Sequence, residues 1–399
     1  MPSTLNPSLP DYHGGSIVNL AATLIAARGG SNDLYPTLRL LPPQDLADAR
    51  HLILLVVDGL GHDTLLRLGH GGHLYRHLWG GITSVFPSTT ASAIPTFLTG
   101  LAPQQHALTG WHMHFREIGT LAAVLPFTAR HGGPSLKAAG VDPAALLSPR
   151  PIFDRMRVSS HVISPNKIIH SDFNSAFTGR AKKHGYGSLE ECFARIAAIA
   201  KDGEQRSFIH AYWPTLDAIA HQHGIQSSQT ARCFERLDEA FGRFLGEIAG
   251  SDSAVVVTAD HGFIDRSPDR LLELDDYPEL ARMLVLPLCG EQRVVYAYVR
   301  PECCRDFEAF VTTRLGAALA LFPSRELVEA GWFGLGQPAP RLLDRVGHYT
   351  LVMRDNWTLA DLLPGEKRHT MIGVHGGVSA AEMTVPLIVA RTSARPPCD

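Results

Sequence analysis

Three stretches of this chain are apolar enough to be hidden on both sides, and each runs into an acid. His51–Val57 reads HLILLVV and meets Asp58; Ser207–Trp213 reads SFIHAYW and leads into PTLDAIAH; Ala254–Ala259 reads AVVVTA and meets Asp260 and His261. A strand with one wet face alternates apolar and polar residues, whereas an unbroken apolar run fits a strand covered on both faces, as in a parallel sheet. Between the second and third runs Phe234, Leu237, Phe241, Phe244, Leu245 and Ile248 form one stripe of a helix. Another helix is expected from Ser188, where Ser188 and Glu191 stand at capping-box spacing. Val385–Ala390 (VPLIVA) adds a further strand. Strands alternating with helices predict an α/β fold, with a mostly parallel central sheet and helices on both faces.

Between Gly262 and Val374 the character changes. A charged stretch, Asp265–Asp276, is followed by the strand-like RVVYAYV at 293–299, a helix near Asp306–Leu321 and a Gly/Pro-rich piece at 331–340. The reading is an inserted lid subdomain over 262–374, on a core formed by 1–261 and 375–399.

Composition excludes several classes of function. At 399 residues, 45% hydrophobic and 19% charged, the chain has the makings of a large core rather than a disordered segment. Basic and acidic residues nearly balance, 36 against 39, and no run of like charge predicts a nucleic-acid groove. The apolar run around Ile17–Ala27 is too short to span a bilayer, so no membrane partner is expected. The N-terminus, MPSTLNPSLPDYHGG, shows no basic stretch followed by an apolar one. Cys192, Cys233, Cys289, Cys303, Cys304 and Cys398 include no CxxC pair, which fits reduced thiols and a cytoplasmic location.

In an open α/β sheet, ligands gather beyond the carboxyl ends of the strands. The residues there are Asp58, then Asp217 and His221 at i, i+4, then Asp260 and His261; a fourth segment, IGVHGG, contributes His375. Each alone has an ordinary explanation as a cap, a turn residue, a helix-face pair or a loop histidine. Together they are a mixed Asp/His donor set, which suits zinc or a similar first-row ion, and they are too many for one four-coordinate site. The stretch FPSTTASAIPTFLTG adds Ser88, Thr89 and Thr90 ahead of a helix whose N-cap would be Thr90 or Ser92. A hydroxyl there stands where a helix start also attracts phosphate.

Five segments in this order, VVDGLG, FPSTT…LTGL, DAIAH, ADHG and HGG, resemble the alkaline phosphatase superfamily, most closely its nucleotide pyrophosphatase/phosphodiesterase branch. The resemblance implies an alkaline phosphatase-like sheet and two divalent metal ions, zinc with manganese as the alternative. One ion would be held by Asp217, His221 and His375, the other by Asp58, Asp260, His261 and the hydroxyl of Thr90. Thr90 would be the nucleophile, with Thr89 as the fallback, working through a phosphothreonine intermediate on a small-molecule phosphate ester. A phosphomonoesterase or phosphonate hydrolase with the same metal core, and a non-catalytic metal- or phospho-ligand-binding member, are the alternatives. The likeness breaks at Trp111, which stands where the branch has an asparagine that contacts a phosphoryl oxygen. The neighbouring His112, His114 and Arg116 are candidates for the missing donor or parts of a solvated loop. Ser379 and Glu382, at capping-box spacing, are assigned to a helix start after the His375 loop.

Overall fold

The seven strands of the central sheet lie in the order Leu78–Thr83, Thr384–Ala394, Ser251–Thr258, His51–Val57, Ser207–Trp213, Ser159–Pro165 and Lys182–Tyr186. The structure, a computed structural model, describes residues 5–202, 205–366 and 371–394. The last five strands in that order run parallel, and Thr384–Ala394 is antiparallel to both of its neighbours. Every residue of His51–Val57 is buried, as a strand with neighbours on both edges and helices on both faces must be. Each Leu, Ile or Val so covered contributes roughly 1.5–3 kcal/mol.

Register decides where the acids emerge. Val57 pairs with Trp213 and Val56 with Thr258, so the three central strands end level. The residues just beyond each strand therefore emerge along one edge of the sheet. The helices that carry the chain back are built as the sequence suggests. Ser188 Oγ accepts the Glu191 N–H at 3.1 Å ahead of the helix Leu189–Asp202, although Glu191 itself accepts from Gly187 rather than from Ser188. The apolar stripe lies on Ser228–Glu247, whose Phe244 ring stacks on Phe193 at 4.9 Å.

A second seven-stranded sheet is antiparallel throughout, and two short two-stranded pairings, Ile264–Asp265 with Gly373–Val374 and Leu271–Glu273 with Thr358–Ala360, accompany it. Four of its strands, Cys289–Gly290, Val294–Ala297, Leu319–Pro323 and Tyr349–Met353, lie inside the 262–374 stretch. The other three, His112–Phe115, Thr120–Ala123 and Thr128–Ala129, do not, and join through a pairing of Gly290 with His112. The second sheet therefore extends beyond the span expected from sequence. The helix expected near Asp306–Leu321 is shorter: it runs Cys304–Phe310, passes through a π-helical turn at Val311–Leu315, and gives way to the strand Leu319–Pro323. Pairing with Tyr349–Met353 overrides helical preference there.

Among the described residues, no helix is long and apolar enough to cross a membrane. Cys192, Cys233, Cys289, Cys303 and Cys304 are free thiols, and Cys398 lies outside the described residues.

Candidate active site

Asp58 still belongs to the ladder: its N–H donates to Trp213 O at 3.0 Å. The chain then turns at Gly59, with φ +76°, where a Cβ would lie 2.5 Å from the Phe263 ring. Glycine takes both the left-handed backbone and the close approach. Asp217 and His221 sit one turn apart on the helix Thr215–His223, directly after Ser207–Trp213. Asp260 and His261 lie just past the end of Ser251–Thr258. His375 comes after the short strand Gly373–Val374, which pairs antiparallel with Ile264–Asp265.

The helix at the hydroxyl cluster runs Thr90–Thr99, and its N-cap position is Thr89, not Thr90 or Ser92. Thr89 does not cap through its side chain. Its hydroxyl donates to Glu291 Oε1 at 2.7 Å, and Ser88 Oγ donates to Gly377 O at 2.7 Å. Thr90 is left facing the acids, with Oγ1 3.0 Å from His261 Nε2.

The structure brings these side chains together. His261 Nε2 lies 3.4 Å from Asp58 Oδ1 and 3.5 Å from Asp260 Oδ2. Asp217 Oδ1 lies 3.3 Å from His221 Nε2 and 3.7 Å from His375 Nε2. The His261 and His375 rings stack at 3.6 Å, linking the two groups. Carbonyl oxygens orient two of the imidazoles: Gly262 O is 3.1 Å from His261 Nδ1, and Gly373 O is 2.9 Å from His221 Nδ1. With Nδ1–H donated outward, each ring turns a lone pair on Nε2 inward. Asp260 Oδ1 accepts the N–H groups of Gly59 and His261, both at 3.1 Å, and Tyr212 donates its hydroxyl to Asp58 Oδ2.

The protein alone leaves the electrostatics unbalanced. Burial, then Asp217 and Asp260, push the Asp58 carboxyl well above the usual range; burial, then Asp260 and Glu291, do the same at Asp217. Burial lowers His221 to about 4 and takes His375 well below its ordinary value, with His261 and His221 adding to the effect there. Asp58 Oδ1, Asp217 Oδ1, Asp260 Oδ2 and His375 Nδ1 are buried without a hydrogen-bond partner among the described residues. Crowded carboxylates facing neutral imidazoles, with donor atoms left over, fit divalent cations. Two donor triples, Asp58/Asp260/His261 and Asp217/His261/His375, each gather their atoms within 4.8 Å. His261 thus borders both groups, and His221 reaches the second through Asp217.

A cavity of about 580 Å³ opens over Thr90, walled by Trp111, His112, Glu291 and apolar residues including Leu288 and Leu359. His114 and Arg116 are not in its lining: His114 packs against Tyr298, and Arg116 pairs with Asp344 at the surface. Trp111 contributes its main-chain N–H, given to Glu291 Oε1 at 2.8 Å. Sequence reasoning missed Glu291 and Tyr212. Tyr212 was within reach, since it stands in the strand beside the one that ends at Asp58. Glu291 lies in a turn far along the chain and gives no local signal.

The sequence matches the profile of the family described as type I phosphodiesterase / nucleotide pyrophosphatase over residues 52–377. No curated protein matches it in sequence. Among solved structures, murine ectonucleotide pyrophosphatase / phosphodiesterase 5 is similar with a TM-score of 0.64 and 17% identity, over 86% of this chain and 88% of that one. An inactive threonine-to-alanine variant of the murine protein, in complex with AMP, matches with a TM-score of 0.63 and 18% identity over 86% and 87%. Phosphonoacetate hydrolase from Sinorhizobium meliloti 1021, in complex with phosphonoacetate, matches at 0.59 and 18% over 88% and 92%. These likenesses establish the alkaline phosphatase-like fold. The matched span contains every segment that brings a donor to the site, and the family is one of divalent-metal enzymes. The chain belongs to the type I phosphodiesterase / nucleotide pyrophosphatase family.

Proposed function

We propose that the protein is a two-metal-dependent hydrolase of phosphoric esters, a phosphodiesterase acting on a small-molecule substrate through a covalent intermediate on Thr90. The observation that carries this is the Thr90 hydroxyl, 3.0 Å from His261 Nε2 among the acids and at the floor of the cavity. Asp58, Asp260, His261 and Thr90 would hold one ion, zinc or manganese, and Asp217, His221 and His375 the other. When bound, such ions supply Lewis-acid polarisation of the phosphoryl oxygens and an acidified hydroxyl for attack.

The chain's own residues do the rest. The Thr90 hydroxyl releases its proton to solvent and its oxygen attacks phosphorus, while the bond from phosphorus to the leaving oxygen breaks in line and the departing alkoxide takes up a proton from solvent. The phosphoryl group, still carrying its second ester, is then joined to Thr90. Water attacks the same phosphorus, the bond to the Thr90 oxygen breaks, and the monoester leaves. At the start of Thr90–Thr99, Ser92 already gives its N–H to Thr89 O, while the N–H groups of Thr90 and Ala91 precede the helix's own ladder and its positive end lies at the cavity that would receive the anion. Tyr212 and the two N–H groups on Asp260 hold those carboxylates in place without competing for their inward oxygens. Thr89 gives its hydroxyl to Glu291, which favours Thr90 over it as the nucleophile.

The test is an assay of purified protein, with zinc or manganese, on bis-p-nitrophenyl phosphate, p-nitrophenyl phosphate and a phosphonate monoester. Diester cleavage that disappears in Thr90→Ala supports the proposal. Faster monoester cleavage moves the reading to a phosphatase, and no turnover on any substrate moves it to a binding protein. That an inactive form of the murine relative carries a threonine-to-alanine change is consistent with this choice of residue.

A further inference from the structure

Glu291 is deep-set, yet part of it lines the cavity together with Thr90, Asp217 and His375. Nothing in the chemistry above uses it. Its carboxylate is fixed rather than free: Oε1 accepts the Thr89 hydroxyl at 2.7 Å and the Trp111 N–H at 2.8 Å. The main chain makes room for it. Gly376, directly after His375, has φ +107°, and a Cβ there would lie 3.2 Å from the Glu291 Cβ. Glu291 is thus held between the residue that precedes the nucleophile and the loop that carries His375. Both donors on Oε1 are neutral, so they orient the carboxylate without cancelling its charge; burial pushes the carboxyl up to about 7, so it holds that charge in full only on the alkaline side of neutrality.

A fixed charge in such a place acts on the phosphoryl group. A phosphodiester or phosphonate monoester brings one negative charge, whereas a phosphomonoester brings about two. The second charge meets Glu291 where burial weakens screening. We propose that Glu291 is the specificity-determining residue of this site, selecting singly charged phosphorus esters, phosphodiesters and phosphonate monoesters, against doubly charged phosphomonoesters. This rests on reading the cavity as a hydrolase site, and it assigns to Glu291 a part of the substrate choice that Trp111 left open.

Glu291→Gln removes the charge and keeps an oxygen for Thr89 and Trp111. Two measurements on the zinc-loaded wild type and variant decide the matter, at about pH 8.5, where monoesters are dianions. One is kcat/KM for bis-p-nitrophenyl phosphate and for p-nitrophenyl phosphate. The other is calorimetric affinity for inorganic phosphate and for dimethyl phosphate. The variant should gain about tenfold or more on the monoester and on phosphate, with changes under about threefold on the diester and on dimethyl phosphate. Equal changes on both members of a pair, or no gain on the dianion, overturn the proposal. Glu291→Ala, judged by the same ratios rather than by absolute rates, serves if the glutamine variant folds poorly. The affinity arm needs no turnover: a wild type that hydrolyses nothing defeats the hydrolase reading while the phosphate-to-dimethyl-phosphate ratio still decides this one. Binding of neither anion defeats both.

Discussion

Glu382 receives the Arg293 guanidinium with both carboxylate oxygens, Nε on Oε1 and Nη2 on Oε2, each at 2.9 Å. Both side chains are fully buried. Glu382 Oε1 also accepts the Gly377 N–H at 2.8 Å, and the Glu382 main-chain oxygen accepts the Gly262 N–H at 2.8 Å. One residue therefore grips the loop behind His375 and the turn behind His261, while Arg293 anchors it to the second sheet. Arg293→Met leaves a buried carboxylate without its counter-charge. It should lower unfolding free energy by about 3–5 kcal/mol in a denaturant titration, and an unchanged midpoint would show the pair to be dispensable.

Ser379 caps the helix Ala380–Met383 by accepting the Glu382 N–H, and its hydroxyl donates to Glu382 Oε2 at 2.7 Å. Ser379→Ala should remove about 1 kcal/mol of stability and leave kcat nearly untouched, because Arg293 and Gly377 still hold the carboxylate. A large loss of rate at normal stability would place Ser379 in the chemistry instead.

Asp260 meets two N–H groups with Oδ1 and leaves Oδ2 toward His261. Asp260→Asn keeps the shape and removes the charge. Metal analysis after equilibration with a weak chelator should find one ion fewer per chain than in the wild type, with turnover abolished. Retention of the full metal complement would show that Asp260 is not a ligand.

His210, in the strand Ser207–Trp213, has no hydrogen-bond partner on either ring nitrogen among the described residues and sits edge-on to Phe153. Burial lowers it from 6.5 to about 4. Between those values the unfolded chain takes up a proton that the folded one refuses, so stability is full above the unfolded pKa and falls as pH drops. His210→Leu should make the acid-side slope of unfolding free energy shallower, by up to about 1.4 kcal/mol per pH unit. An identical slope in the two proteins would contradict this.

Of the seven residues expected as donors, Asp58, Asp217, His221, Asp260 and His261 were legible because they stand at breaks in a strong local pattern, whereas Thr90 and His375 took their roles from the resemblance. Asp58 and Asp260 end unbroken apolar runs, and Asp217 and His221 fall one helical turn apart just beyond another. The central sheet follows from the same runs, since a strand apolar on both faces has few other places to go. The second sheet was hidden for the opposite reason. Its strands are short, as at Cys289–Gly290 and Thr128–Ala129, and it unites His112 with Gly290 across a long separation in sequence. Glu291 and Arg293 share that obscurity: their partners, Thr89 and Glu382, lie on distant pieces of chain that only the folded sheet brings near. The single misplaced cap, Thr89 rather than Thr90 or Ser92, has the same root, because its side chain is drawn off to Glu291.

The central claim is that the Thr90 oxygen, set beside His261 Nε2 at 3.0 Å, takes the phosphoryl group from the substrate. The direct measurement is to quench the zinc-loaded protein in acid during turnover of bis-p-nitrophenyl phosphate and map the modified peptide by mass spectrometry. The substrate's phosphoryl group should be found on Thr90, and on no residue of the Thr90→Ala variant. Turnover with the label on another side chain, or undiminished turnover in Thr90→Ala, would contradict the account.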